Sequence, residues 1–281
     1  MSAIALDRCI WCVRTHDESP PSKAEHIIGS ALGYPRDASG QAFALRSGEV
    51  CTDCNNNRLA RLDRVLGDKF DLPRMVAGVG DDLKLLRSRW NARAMRDETG
   101  RLHLAVNNGP GLFDFEVFGT IPPPRGDGRD VYFDRAANTV EVALGGSPLF
   151  SHAVHKMAFE IFTVIAGWEA ALSPRLDAVR GFVMHDDGVR EVIVASPPAG
   201  EEHPYEHRIA DNMVLHADDG SVRVAFLACG VFFFVDLSED QRALDEVKRN
   251  IREQRGDENW HWFPNTAGRA FRARFSIHAT T

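Results

Sequence analysis

The sequence predicts an α+β protein with a small N-terminal module and a larger second domain. Four of the five cysteines lie in the first fifth of the chain, within a segment patterned as a hairpin leading into a helix. After Gly100, strand-like segments are separated by the turn-forming stretches GPG and PPPRGDG, and a long apolar helical segment follows. We therefore divide the chain into residues 1–70 and residues 71–281.

Composition and charge narrow the class of protein. With 281 residues, 44% of them hydrophobic, the chain can bury a sizeable core. A net charge of -7 argues against coating nucleic acid through bulk positive charge, although a local basic face stays compatible with it. The sequence has no secretion signal and no apolar run of the roughly 18 to 20 residues that span a bilayer. We therefore expect a cytoplasmic protein.

The cysteines form two pairs of equal spacing, Cys9/Cys12 and Cys51/Cys54. Two intervening residues let both thiolates of a tight turn face one ion, and two such turns complete a tetrahedral zinc site. The alternative is a redox-active pair, which is typical of a thioredoxin-like βαβ unit that this sequence does not show. The fifth cysteine, Cys229, lies in the apolar run LACGVFFFV and is predicted to be an inert core thiol.

An acid and a histidine stand side by side between the two pairs, as Glu25 and His26 of EHIIG. Residues 13–50 form a longer insert than the about 15 to 20 residues of a simple zinc ribbon, so we expect the insert to have a purpose of its own. Because four thiolates already satisfy zinc, Glu25 is free to bind a hard ion such as Mg²⁺. A second metal site is therefore a reasonable expectation.

Local patterns place these residues on a hairpin and a helix. The segments AEHII and QAFALRSGEVC predict two strands, and the leucines of RLARLDRVL recur at helical spacing. We predict a helix over residues 52–66, with Asn55 directly after the second cysteine pair.

In this order of motifs, residues 9–66 resemble the HNH endonucleases with a zinc-stapled ββα-metal fold. The resemblance implies that Glu25 and Asn55 hold one catalytic Mg²⁺ or Mn²⁺ ion, that His26 activates water, and that the substrate is DNA. Two positions depart from the pattern: Gly29 stands where proline is usual, and no Asn or His braces the hairpin between residues 27 and 50. Both departures affect the strand register more than the chemistry.

The proposed chemistry also follows from the residue types. A phosphodiester resists attack because it is anionic, and a histidine with an ordinary pKa of about 6.5 is a suitable base near neutral pH. The competing structural interpretations are a packed His26, a surface Glu25 and an Asn55 that caps the helix. We also expect an exposed His16 and a structural ion pair for Asp63.

Basic residues predict a nucleic-acid surface on two helices. Arg58, Arg61 and Arg64 recur along the predicted module helix. The segment DDLKLLRSRWNARAMRDETG is predicted to form a second helix, with Arg89, Arg93 and Arg96 on one face. Such a stripe is equally compatible with a solvated face.

The remainder of the chain predicts alternating strands and two helices. Strands are expected in LHLAVNN, DFEVFGTI, DVYFD, TVEVALG, EVIVAS, VRVAFLA and VFFFVDL. A buried helix is expected over residues 150–172, with His152 and His155 packed inside, and an amphipathic helix over residues 240–254. We further expect HWF and RARFSIHA to pair with each other.

The sequence thus favours a metal-dependent HNH endonuclease acting on DNA, with no membrane partner and with a homo-oligomer not excluded. The main alternative is a catalytically silent, zinc-stapled nucleic-acid-binding module, with the activity in the second domain. A redox protein using one cysteine pair is a weaker alternative, because it leaves the Glu25–His26 pair unexplained.

Overall fold

The structure, a computed structural model, is mixed α+β, as predicted. It describes residues 6–23, 25–28, 44–66, 92–96, 102–106, 112–120, 131–134, 139–144, 149–195, 214–216, 221–228, 231–254, 260–263 and 271–279. Gly29, Arg89, Cys229 and the predicted boundary near residue 70 lie outside these residues, so the division into two domains stays a prediction.

The described residues of the N-terminal module contain little regular structure before its helix. Its described strands are isolated antiparallel bridges, which pair Arg8 with Thr15, Pro21 with Cys51, and His26 with Ala44. The helix, α1, begins as Thr52–Cys54, continues as a π-helical segment over Asn55–Leu59, and is α-helical again over residues 60–66. Of the predicted hairpin, the described residues show the bridge between His26 and Ala44, and the predicted helix follows it; residues 41–43 of the second predicted strand lie outside them.

Two antiparallel sheets make up the described β-structure of the second part. The six-stranded sheet contains β1, β2, β3, β4, β5 and β11, in the order β1-β2-β3-β11-β5-β4. These strands are Ala92–Arg96, Leu102–Val106, Leu112–Thr120, Val131–Asp134, Thr139–Leu144 and Phe271–Ala279. The five-stranded sheet has the order β10-β6-β9-β8-β7. Its strands β6 to β10 are Val192–Ala195, Val214–His216, Val222–Ala228, Val231–Asp236 and Trp260–Phe263.

The buried helix predicted over residues 150–172 is present but interrupted. Helix α2 spans Phe150–Ala166 and α3 spans Trp168–Ala171. Between them Gly167 has φ +94°, a conformation that residues with a side chain rarely adopt, so the chain turns at this glycine. Helix α4, Asp177–His185, follows a short 3₁₀ turn at Pro174–Leu176, and α5 spans Arg242–Gln254. Among the described helices, none combines the length and the apolar character needed to cross a bilayer.

Helix α2 is the centre of the core. It packs against the five-stranded sheet through β6, β8 and β9 and against α4. Its other side contacts the N-terminal module, where the Trp11 ring lies 4.6 Å from the Phe159 ring, centroid to centroid. Beyond α2, the Trp168 indole Nε1 donates to the backbone oxygen of Arg8 at 2.9 Å. The module and the helices thus share one hydrophobic core.

One predicted helix and one predicted strand pairing are wrong. Residues 92–96 form β1, paired with β2, so a helix does not extend through Arg93 and Arg96 and the helical stripe of arginines is not present there. The predicted pairing of HWF with RARFSIHA is also wrong, because β10 pairs with β6 whereas β11 lies between β3 and β5. Both errors have one cause: long-range strand pairing overrides local pattern and propensity.

The histidines of α2 are packed, as predicted. The His152 ring stacks on Phe182, and its Nε2 lies 3.0 Å from a carboxylate oxygen of Asp186. His155 is fully buried, and its Nδ1 lies 2.8 Å from the backbone oxygen of Ser151. Burial lowers the pKa of His155 well below its ordinary value, with the nearby charge of Arg190 acting in the same direction.

This burial gives an expected pH dependence. Below about pH 6.5 His155 is protonated in the unfolded chain but stays neutral in the folded protein. The free energy of unfolding therefore decreases as the pH is lowered, by at most about 1.4 kcal/mol per pH unit from this histidine. His155→Leu should therefore flatten the loss of stability between pH 7 and pH 5, measured by urea unfolding against the parent protein. A parallel pH profile for the two proteins would contradict this assignment.

Candidate metal centre and the adjoining charge cluster

The four predicted zinc ligands come together in the fold. The sulfur atoms of Cys9, Cys12, Cys51 and Cys54 all lie within 4.8 Å of one another, and three of these cysteines are buried. The Cys12 and Cys51 sulfurs are 3.7 Å apart. That distance is far longer than a disulfide bond of about 2.05 Å. It agrees with the separation of about 3.8 Å that tetrahedral ligands at about 2.3 Å from zinc would have.

Local backbone structure builds the site from two turns. In the first, the Val13 amide donates to the Cys9 carbonyl at 3.0 Å, and the Trp11 amide points at the Cys9 sulfur at 3.4 Å. The second turn opens α1, so Cys51 and Cys54 flank its first residues. An amide directed at a thiolate stabilises the negative sulfur, as is usual around structural zinc.

The electrostatics of the cluster also suit a cation. Hydrogen bonds from Cys54 and Cys9 lower the pKa of Cys12. For Cys54, the hydrogen bond with Cys12 raises the pKa. Four thiolates in this small volume repel one another, so a bound cation is what stabilises the fully deprotonated set. The residues therefore fit a metal ion such as zinc.

The segment that contains Glu25 and His26 pairs with the segment that precedes the second cysteine turn. His26 bridges Ala44, and the Leu45 amide donates to the Glu25 carbonyl at 2.9 Å. The returning strand leads directly into Cys51. His26 is half-buried as a residue, and its Nδ1 atom is buried.

The Glu25 side chain points inward, toward a buried lysine of α2. It is only 8% exposed, and its Oε1 lies 3.2 Å from Nζ of Lys156. The same Nζ lies 2.9 Å from Asp63 on α1 and 3.1 Å from Glu160 on α2, and it donates to the His26 carbonyl at 3.4 Å. We refer to Lys156 and these three carboxyl groups as the Lys156 cluster.

Within the Lys156 cluster, burial and neighbouring charges shift the pKa of the lysine in opposite directions. Burial alone would lower the pKa of Lys156, but the three neighbouring carboxyl groups outweigh it and raise the pKa above its ordinary value. Burial raises the pKa of Glu25 and, more strongly, that of Glu160, and the lysine opposes both shifts. The lysine is therefore charged, while three carboxyl groups compete for it.

The two predicted ligands of a catalytic ion differ in how the fold engages them. The Glu25 carboxylate already pairs with the Lys156 ammonium, which supplies the positive charge at that oxygen. Asn55 is half-buried at the start of the π-helical segment. Segments of this kind are frequent at functional sites, because the wider turn re-aims the side chains around it.

Of the three arginines predicted on the module helix, two are exposed. Arg61 and Arg64 are exposed on α1. The Arg58 guanidinium instead contacts α4, where it donates to the Val183 carbonyl at 2.7 Å and pairs with Asp186. Arg58 is therefore engaged within the fold.

The structure decides two of the structural interpretations. Asp63 forms the ion pair expected of it, with Lys156. His16 was expected to be exposed but is half-buried, with its Nε2 2.6 Å from the Gly48 carbonyl and its Nδ1 3.3 Å from the Ser19 carbonyl. His16 thus braces the first turn against the hairpin.

The chain was compared with protein-family models, with curated proteins and with solved structures. No significant match was found in any of the three. The description of the site consequently depends on its own geometry.

The Lys156 cluster was missed at the level of sequence. Its signal was present, because Lys156 and Glu160 are four positions apart within a mostly apolar helical run. Charged residues are almost never fully buried without partners, so the pair indicates that partner charges must reach it from elsewhere in the chain.

Proposed function

We propose that the chain is a metal-dependent endonuclease of the HNH type that hydrolyses phosphodiester bonds in DNA. The observation that carries this proposal is the order of elements around the four cysteines: a cysteine turn, the Glu25–His26 strand, a returning strand, and a second cysteine turn that opens a helix. In this arrangement the zinc is structural, and the acid and the histidine next to it are available for chemistry.

The roles of the individual residues follow from their chemistry. The half-buried His26 acts as the general base that takes a proton from the attacking water. Glu25 and Asn55 would hold one Mg²⁺ or Mn²⁺ ion, whose contribution is to neutralise charge that develops on the phosphate. The exposed Arg61 and Arg64 would contact phosphates of the DNA backbone.

A specific observation favours a second candidate. Because the Glu25 carboxylate is almost wholly buried and pairs with Lys156, it could serve only to hold the module together. The chain would then be a zinc-stapled nucleic-acid-binding module without cleavage activity. The two candidates differ in one measurable property, which is hydrolysis of bound DNA.

Nicking of supercoiled plasmid in Mg²⁺ or Mn²⁺ tests the proposal. We expect nicked and linear products, loss of cleavage after mild chelation, and recovery on adding Mg²⁺ while the zinc content stays unchanged. Plasmid binding without nicking in any divalent ion would support the silent binding module instead. Cleavage that follows zinc occupancy alone would contradict the division into a structural and a catalytic ion.

A further inference from the structure

The Lys156 cluster joins three separate parts of the N-terminal module to one lysine of α2. Through Glu25 and the His26 carbonyl the lysine reaches the strand that holds the candidate catalytic residues. Through Asp63 it reaches α1, at 2.9 Å. On the same helix, Glu160 accepts a hydrogen bond at 3.2 Å from the indole of Trp11. Trp11 lies between the first two cysteines in the sequence.

These contacts fix the strand at the point where its orientation matters most. Within the described residues the strand makes one bridge to its partner, at His26 and Ala44, so regular sheet hydrogen bonding there does little to set its direction. Lys156 holds both a side-chain oxygen of Glu25 and the backbone oxygen of His26, and it is 0% exposed. A buried ammonium with four oxygen neighbours cannot shift without losing several charge-assisted hydrogen bonds.

We infer that Lys156, supported by Glu160, is a positioning residue of the nuclease centre, supplied by the second part of the chain. It holds the Glu25 carboxylate and the His26 backbone oxygen in place, and so fixes the strand segment from which the His26 ring projects. This inference depends on the proposed function, since it assigns Lys156 a role in that reaction. It also means that residues 9–66 do not contain the complete centre.

The magnitude expected from misplacement is large. Catalytic groups must be held close to their productive geometry, and a displacement of about 1 Å can reduce a rate by about 100-fold. Loss of Lys156 should therefore act on the cleavage step and should spare DNA binding, which depends on exposed basic residues.

The variant has to remove the lysine and strand as little buried charge as the cluster allows. Lys156→Met alone leaves three carboxyl groups facing one another in the core, which is strongly destabilising. The double variant Lys156→Met/Glu160→Gln also neutralises the fully buried Glu160, leaves Glu25 and the partly exposed Asp63, and keeps an amide oxygen to accept from Trp11. Lys248→Met is the matched control, because Lys248 also pairs with a carboxylate, that of Glu191, but lies on α5.

Single-turnover nicking of plasmid with the protein in saturating excess over DNA, plasmid affinity and zinc content are measured on the full-length chain. We expect the double variant to keep one zinc and the affinity of the parent while its nicking rate falls by about 10- to 100-fold. The Lys248→Met protein should match the parent. A double variant that nicks at the parent rate, or one whose rate falls only in proportion to lost zinc, would overturn the positioning role. If the parent protein does not nick plasmid in any divalent ion, the proposed function is wrong and the positioning role falls with it. If the parent nicks and the double variant nicks equally, only the positioning role is wrong.

Discussion

Replacing Cys51 with serine is expected to release the metal from the four-cysteine centre and to unfold the N-terminal module. A serine hydroxyl does not replace a thiolate ligand, and zinc binding contributes on the order of 10 kcal/mol in small zinc domains. Among the described residues of the module, strand pairing consists of isolated bridges, so regular hydrogen bonding adds little to the metal centre and the contacts with α2. Metal analysis should find about one zinc per parent chain and none in the variant, with early loss of structure on heating.

Thr52→Ser is the matched control for this experiment. Thr52 is adjacent to Cys51, and its hydroxyl lies 3.3 Å from the Pro21 carbonyl, a contact that serine can keep. This control should bind zinc and unfold like the parent. A Cys51→Ser protein with unchanged zinc content and an intact module would refute the four-cysteine centre.

The second large effect concerns His26. Replacement by alanine should reduce cleavage of DNA by about 10²- to 10⁴-fold, the usual contribution of a positioned general base. Zinc content and DNA affinity should change little, because His26 is half-buried and lies outside the four-cysteine set. His185→Ala, an exposed histidine at the end of α4, is the matched control and should cleave at the parent rate.

Glu25→Ala should fail in a different way. If Glu25 holds the catalytic ion, its loss weakens metal binding, so higher concentrations of Mg²⁺ or Mn²⁺ should restore part of the activity. Added metal should not restore His26→Ala, because the missing group there is a base. Equal cleavage by the parent and both variants would locate the active centre elsewhere.

The parts of this protein that sequence could predict are those encoded by local spacing. Two cysteine pairs with equal spacing predicted a metal centre, and the structure brings their sulfur atoms together. The strand segments and the late helix were predicted from alternation and helical periodicity, which depend on neighbours in sequence.

The parts that sequence could not predict depend on contacts between distant residues. Residues 92–96 have the composition of a helix but form a strand, because β2 and the six-stranded sheet pair with them. Likewise, Glu25 looked like a free ligand until its partner appeared 131 positions later, on α2. Spacing identifies chemical groups, whereas tertiary packing decides which of them are already engaged.

The two tryptophans that join the module to the helices bear on how such a module can be inherited. The Trp11 ring is 2% exposed and packs on Phe159, while the Trp168 indole donates to the Arg8 backbone. A segment cut out at residue 66 would expose the Trp11 face that packs on Phe159 and would lose the hydrogen bond to Arg8. A host protein that received residues 6–66 would have to supply a replacement for these contacts, so inheritance of the module together with its companion helices is favoured.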